Sequence, residues 1–277
     1  MGEQFPRWLR GYIAFVAMLA AAIGISLFFF PTSSAAATFF PLEVSPLNAR
    51  VIGALYVGGL VGLVTALFAR RATDTRLMVI GAGLISTLLL IMTVVYWDDF
   101  TADHTPYGWI AVYVADSLVA VLAVVRLDLI RPAVAGFHRL SGVMFAEAIA
   151  SGGLGVVLLV APDFAVDHWP WKVTPLLTRV YSSFFIAFGV AALLAVWEAR
   201  ASAIRPLLAG SAALAVCVII ASLRHLDRFR HGTPEDAWFI AFFVAAVVLV
   251  GAFLYSIRDV LDRRGRSASN ASTSLAS

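Results

Sequence analysis

Eight stretches of this chain are apolar for long enough to cross a bilayer as helices: Tyr12–Phe30, Val51–Phe68, Leu77–Trp97, Trp109–Val125, Leu140–Val160, Val180–Trp197, Leu207–Leu223 and Ala237–Tyr255. A hydrocarbon core of roughly 30 Å needs about 20 such residues in helical form. The runs are too long and too uniformly apolar for the alternating strands of a barrel. In lipid each backbone group has to bond within its own segment, which a helix achieves alone. The pattern predicts an all-α, polytopic integral membrane protein with eight transmembrane helices.

The polar positions between these runs repeat. Pro41-Leu-Glu-Val-Ser-Pro-Leu-Asn-Ala-Arg50-Val51 returns 129 residues later as Pro170-Trp-Lys-Val-Thr-Pro-Leu-Leu-Thr-Arg179-Val180. At the same offset Arg71 falls on Arg200, Arg76 on Arg205, Gly81 on Gly210, Asp98 on Asp227 and Phe100 on Phe229. Apolar positions match by chance in an Ala/Val/Leu-rich chain, but Arg and Asp in constant register do not. The expectation is two tandem four-helix repeats, residues 1–131 and 132–262, with 263–277 a disordered polar tail. An even number of spans per repeat puts both copies in the same orientation, a parallel arrangement used by some transporters.

Composition agrees with a lipid environment. The 277 residues are 61% hydrophobic and 13% charged, against about 25% charged in an ordinary globular domain. The only Lys is Lys172, so the basic residues are otherwise Arg, a usage that points to a GC-rich bacterial genome. Fourteen Arg lie in the connections on one side and six Arg or Lys on the other. The positive-inside rule then puts both termini in the cytoplasm and the protein in the bacterial plasma membrane. Arg7, Arg10 and Ala35–Ala37 superficially frame a signal peptide, but the first run is long for one and has a counterpart in Leu140–Val160, so a retained helix is expected. The seven Trp fall at or beside run ends, where an amphipathic ring suits the headgroup zone. The single Cys217 excludes an internal disulfide and reads as a buried small hydrophobe. The charge carries no sign of nucleic-acid binding, and membrane lipids, with a partner subunit or a second copy, are the expected company.

Candidate chemistry gathers at one face. Ser45 and Thr174 suit N-caps, with Pro46 and Pro175 behind them. Arg50 and Arg179 follow about one turn in. Asp98 and Asp227 end the third helix of each repeat, and each is followed by His, Thr-Pro and Trp: His104, Thr105, Pro106 and Trp109, then His231, Thr233, Pro234 and Trp238. Neighbouring second and third helices would bring Arg50 to Asp98 and Arg179 to Asp227. These are structural ion pairs on one reading, and on the other the two Arg bind an anion such as a lipid phosphate or a carboxylate. The repeats part company where Val95 and Tyr96 correspond to Arg224 and His225. Arg224, His225, Asp227, Arg228, Arg230 and His231 make that corner the expected anion site, unless Arg224–Asp227 and Asp227–Arg230 neutralise one another at i,i+3 spacing. Four of the five His lie on this side (His104, His168, His225 and His231), but no helical His pair and no Cys motif marks a metal or haem site. None is expected, and no cofactor.

Two acids lie inside spans, Asp116 and Glu147, each roughly 10 Å deep from opposite surfaces. Such groups are functional candidates that should face protein or water. The alternative is a carboxylic acid hydrogen-bonded to a neighbouring helix. A small-residue stretch around Glu147 (Ala148, Ser151, Gly152, Gly155) predicts a close helix contact. There is no P-loop, dinucleotide fingerprint or nucleophile elbow. Three functions stay open: a small transporter or permease with a polar outer site, a lipid- or partner-binding module without catalysis, and an intramembrane enzyme using the outer His and Asp.

Overall fold

The computed structural model describes residues 5–32, 44–99 and 107–274, with 99 and 259–274 by backbone alone. Among the described residues the chain is all-helical: α1 (Arg7–Phe29), α2 (Pro46–Leu67), α3 (Arg76–Val95), α4 (Tyr107–Arg126), α5 (Ser141–Val160), α6 (Pro162–His168), α7 (Pro175–Val196), α8 (Ala201–Leu223) and α9 (Thr233–Ser274). Short 3-10 turns occupy Ala72–Thr75, Trp97–Asp99 and Leu226–Arg228. Eight of these helices are long and apolar enough to cross a membrane, which makes this a multi-pass membrane protein by length and composition.

Local chemistry sets the helix starts. Ser45 accepts from the Asn48 amide and Thr174 from the Leu177 amide, with Pro46 and Pro175 at the first helical position. Helices α2 and α7 therefore each begin five residues before their apolar runs, at 46 against 51 and at 175 against 180, because a cap and a proline stabilise the first turn whether or not it is greasy. The short α6 was not legible in the hydropathy pattern. Helical backbone in α9 continues past its apolar run to Ser274. No proline interrupts it, and extending a nucleated helix adds one hydrogen bond per residue fixed.

Neighbours in sequence are not always neighbours in space. Helix α1 packs along α2, α2 on α8, and α8 on α9; separately, α4 packs on α3, α3 on α7, and α7 on α5. Between these two four-helix groups the backbones approach at few points, and α2 barely meets α3. One group is continuous in the chain (α3, α4, α5, α7), and the other joins its two ends (α1, α2, α8, α9). The chain crosses between groups twice, at 68–75 and at 197–200, and contacts across these crossovers bring them together at one end of the bundle. Small residues explain the tight contacts within a group. A Cβ on Gly189 of α7 would stand 2.5 Å from the Gly152 backbone of α5, and one on Gly210 of α8 would stand 2.8 Å from the Gly58 carbonyl of α2. The two groups instead meet through large side chains such as Leu55, Tyr181 and Phe184.

Not all Trp form an interfacial belt. Trp8, Trp97 and Trp197 are exposed, whereas Trp169, Trp171 and Trp238 are buried against one another, Tyr181 and Phe229. The α6 segment folds Trp169 and Trp171 inward over the bundle end, and the Trp171 and Trp238 indole N–H groups find acceptors there in Asn48 and Ser222.

Candidate functional site

The starts of α2 and α7, one from each half of the chain, face each other across a cleft of about 800 Å³. It lies between the two helix groups, at the end away from the crossovers. Ser45, Pro46 and Asn48 line one side, and Lys172, Thr174 and Arg179 the other, with His225 and Arg228 completing the wall. Among the described residues no acid lines it. Its floor is fixed by Asn48, a buried amide on α2. Asn48 Oδ1 accepts from the Trp171 indole at 2.6 Å and the Tyr181 hydroxyl at 3.0 Å, and its Nδ2 donates to the Lys172 carbonyl at 3.2 Å. Sequence reasoning passed over Asn48; its signal was a carboxamide one turn into a membrane helix, where such a group needs partners.

The two motif arginines are placed differently from the expectation. Arg50 bonds His225, not Asp98, and the Arg179 guanidinium lies over the Tyr96 ring, 4.7 Å from its centroid, rather than against Asp227. The reason is the packing: α2 lies on α8 and α7 on α3, so each Arg meets the third helix of the opposite half. His225 and Tyr96 are 129 residues apart in sequence, as Arg50 and Arg179 are. Asp98 is exposed. Asp227 pairs with the adjacent Arg228 at 3.0 Å, with both side chains largely in solvent. The proposed i,i+3 pairs are absent among the described ion pairs, because Arg230 turns to the Val166 and Asp167 carbonyls. Arg224 is exposed beside His225.

Burial, Arg50, Arg228 and Arg224 hold the His225 pKa below its ordinary value, against an opposing pull from Asp227. A neutral imidazole is what the bond requires, since its Nε2 accepts from Arg50. His231 instead pairs with Glu235 at 2.9 Å on the exposed start of α9. His225, Asp227 and His231 therefore form no common centre, and no group of three metal-ligating side chains comes together among the described residues. Phe100, His104, Thr105 and Pro106, with the beginning of the first motif at 41–43, lie outside the described residues.

The intramembrane acids face protein, and each bridges the two groups. Asp116 on α4 accepts from Tyr12 of α1 at 2.7 Å and from Ser86 of α3 at 2.5 Å. Glu147 on α5 accepts from Ser211 of α8 and leaves its second oxygen buried without a partner. Asp116 lines a second cavity, at mid-bundle; Glu147 is not on its wall.

The opposite end holds a network that sequence reasoning missed. Glu198, fully buried, accepts from Arg76 at 3.1 Å and from the amides of Ala133, Val134 and Arg200. Arg76, itself 1% exposed, also donates to the Leu129 and Ile130 carbonyls. Arg200 pairs with buried Asp74 at 2.9 Å. The 126–140 connection and both crossovers are thereby tied together. Glu198 looked like a loop charge, because it ends an apolar run and its partners lie 122 and about 65 residues away.

Against known proteins, no family model, no curated protein and no solved structure matches this chain.

Proposed function

We propose that this is a small transporter- or permease-like protein of the bacterial plasma membrane with an outward-facing site for an anion, either a free carboxylate or phosphate or a lipid headgroup bearing one. On this reading an ancestral four-helix unit was duplicated in tandem, and both copies cross the membrane in the same sense with termini in the cytoplasm. The paired packing supports the duplication: α1–α2 with α5–α7, α3–α4 with α8–α9, and α2–α8 with α7–α3. One observation carries the functional reading. Two helix starts meet across a cleft whose charged lining is cationic. The positive ends of these two helix dipoles, each partly met by its cap, add to Lys172, Arg179 and Arg228 in favouring an anion. The cleft also sits between two thinly joined groups closed at the far end, the geometry an alternating-access protein needs.

A second reading, a lipid- or partner-binding module without transport, is favoured by one fact: Asp116 and Glu147 bond to separate partners and share no cavity. The enzyme reading loses support, because the His and Asp residues it needed are dispersed. The test uses protein reconstituted in phosphatidylcholine membranes doped with phosphatidylglycerol. Native mass spectrometry should find anionic lipid or a small anion retained by the wild type and lost in Arg179→Gln at unchanged fold. Equal retention by both proteins defeats the anion site. Flux of the retained anion across proteoliposomes separates transporter from module. A cysteine at Ser45 that is labelled only from the cytoplasm would overturn the topology.

A further inference from the structure

The mid-bundle cavity is independent of the cleft and asks for a different ligand. It encloses about 420 Å³ between α1, α2, α3, α4 and α7, within the roughly 300–1,000 Å³ range of small-molecule sites. Its wall is apolar except at one corner, where Asp116, Ser86, Tyr56 and Tyr113 gather. Both Asp116 oxygens are occupied by hydroxyl donors. The Tyr113 hydroxyl lies within reach of Tyr56 and can donate to it, which still leaves the buried Tyr56 O–H with no acceptor of its own. A buried donor with nothing to donate to is rare in a folded protein. Aromatic rings surround it: Tyr56 meets Phe184 edge-on at 5.1 Å, and Trp109 stands 5.2 Å from Tyr113. Helices α1 and α4, which both line it, touch each other at few points. The corner belongs to one half only, since Tyr56, Tyr113 and Asp116 have Phe185, Phe242 and Ala245 at the 129-residue offset.

We propose that this cavity binds a lipid-soluble planar ring compound of the quinone class. One ring carbonyl accepts from the Tyr56 hydroxyl, and the ring packs among Tyr113, Trp109 and Phe184. A saturated acyl chain fits the volume less well chemically, because it leaves the Tyr56 donor unmet and gains nothing from the ring edges and faces. A cation is disfavoured, because Asp116, the one acid among the described lining residues, already accepts from two hydroxyls.

The test uses menadione as probe and the full chain in phosphatidylcholine nanodiscs, with equilibrium dialysis and native mass spectrometry as readouts. The wild type should bind one menadione saturably. Tyr56→Phe should weaken binding by about tenfold, as loss of one buried hydrogen bond would. Gly59→Leu should abolish it, since Gly59 lines the cavity, a Cβ there meets nothing within 4 Å, and the added side chain takes up the ligand's space. If Gly59→Leu does not fold, Tyr56→Phe decides alone. The proposal is overturned if the wild type shows no saturable binding, or if Tyr56→Phe binds as well as wild type. It is also overturned if a phospholipid is retained in the wild type, is lost in Gly59→Leu, and is not displaced by menadione.

Discussion

The two ends of the helix bundle use the same kinds of charge to opposite effect. At the crossover end, Arg76 and Glu198 are sealed from solvent and every Glu198 oxygen is engaged, while Arg200 meets Asp74. At the cleft end, Lys172, Arg179 and Arg228 line one opening and Arg50 bonds the His225 of its wall; Asp98 faces solvent, and Asp227 pairs with Arg228 alone. A buried arginine is tolerable where a carboxylate and backbone carbonyls meet it. Where cations outnumber acids, as here with only the solvent-exposed Asp227 on Arg228, the protein bears self-repulsion that a bound anion would relieve. The crossover end thus reads as a hinge that holds the two groups together, and the cleft end as the part that can take a ligand.

The sharpest way to break this comparison is at Glu198. In Glu198→Ala, Arg76 keeps its burial and loses its counter-charge, and three backbone amides lose their acceptor. The expected cost is about 3–5 kcal/mol, read as a large loss of thermal stability in detergent or failure to accumulate in the membrane. Cleft ligand binding should fall only in proportion to folded protein. If Glu198→Ala melts within about 1 kcal/mol of wild type, the hinge reading is wrong. Next in size is Asn48→Leu, which is close in volume but leaves the Trp171 indole and Tyr181 hydroxyl unsatisfied. A destabilisation of about 1–3 kcal/mol is expected, together with a change in Trp fluorescence as the cleft floor loosens.

Arg179→Gln should separate the two ends cleanly. Its described contact is a cation–π pair with Tyr96, worth about 0.5–1 kcal/mol at a partly exposed site. Stability should therefore shift by no more than about that much, while anion retention by the cleft falls several-fold. The reverse outcome, a large stability loss with retention intact, would make Arg179 the same kind of residue as Arg76 and erase the contrast.

Much of this was readable from residue order. The spans followed from hydropathy, the helix starts from Ser45-Pro46 and Thr174-Pro175, and the convergence of motif residues at one face from alternation of direction. What failed was the partner of each arginine. The natural assumption was that helices joined by a short connection lie side by side. Instead α2 packs across to α8 of the other half through Gly58 and Gly210, and α7 packs across to α3, while Gly152 and Gly189 join α7 to α5 within its own half; small residues advertise closeness without saying to whom. Glu198 and Asn48 were missed for a related reason. Each is a lone polar residue whose meaning lies in groups more than 60 residues away, and no local spacing encodes that.

The smallest expected effect is a pH dependence confined to the cleft end. The His225 pKa is lowered, first by burial and then by Arg50, Arg228 and Arg224. The neutral ring is therefore favoured in the fold relative to the unfolded chain, whose histidine titrates at the ordinary 6.5. The unfolded chain then binds more protons between the folded pKa and that value, so stability is present above pH 6.5 and is lost as pH falls through the folded pKa. Protonation removes the acceptor of Arg50 and adds a charge to an already cationic wall. Because His225 is half-exposed, water and salt screen much of this. The wild type should lose slightly more melting temperature than His225→Gln when acidified from about pH 7.5 to 5, whereas anion retention should rise as the ring becomes charged. Parallel titration curves for the two proteins would remove His225 from the cleft's electrostatics.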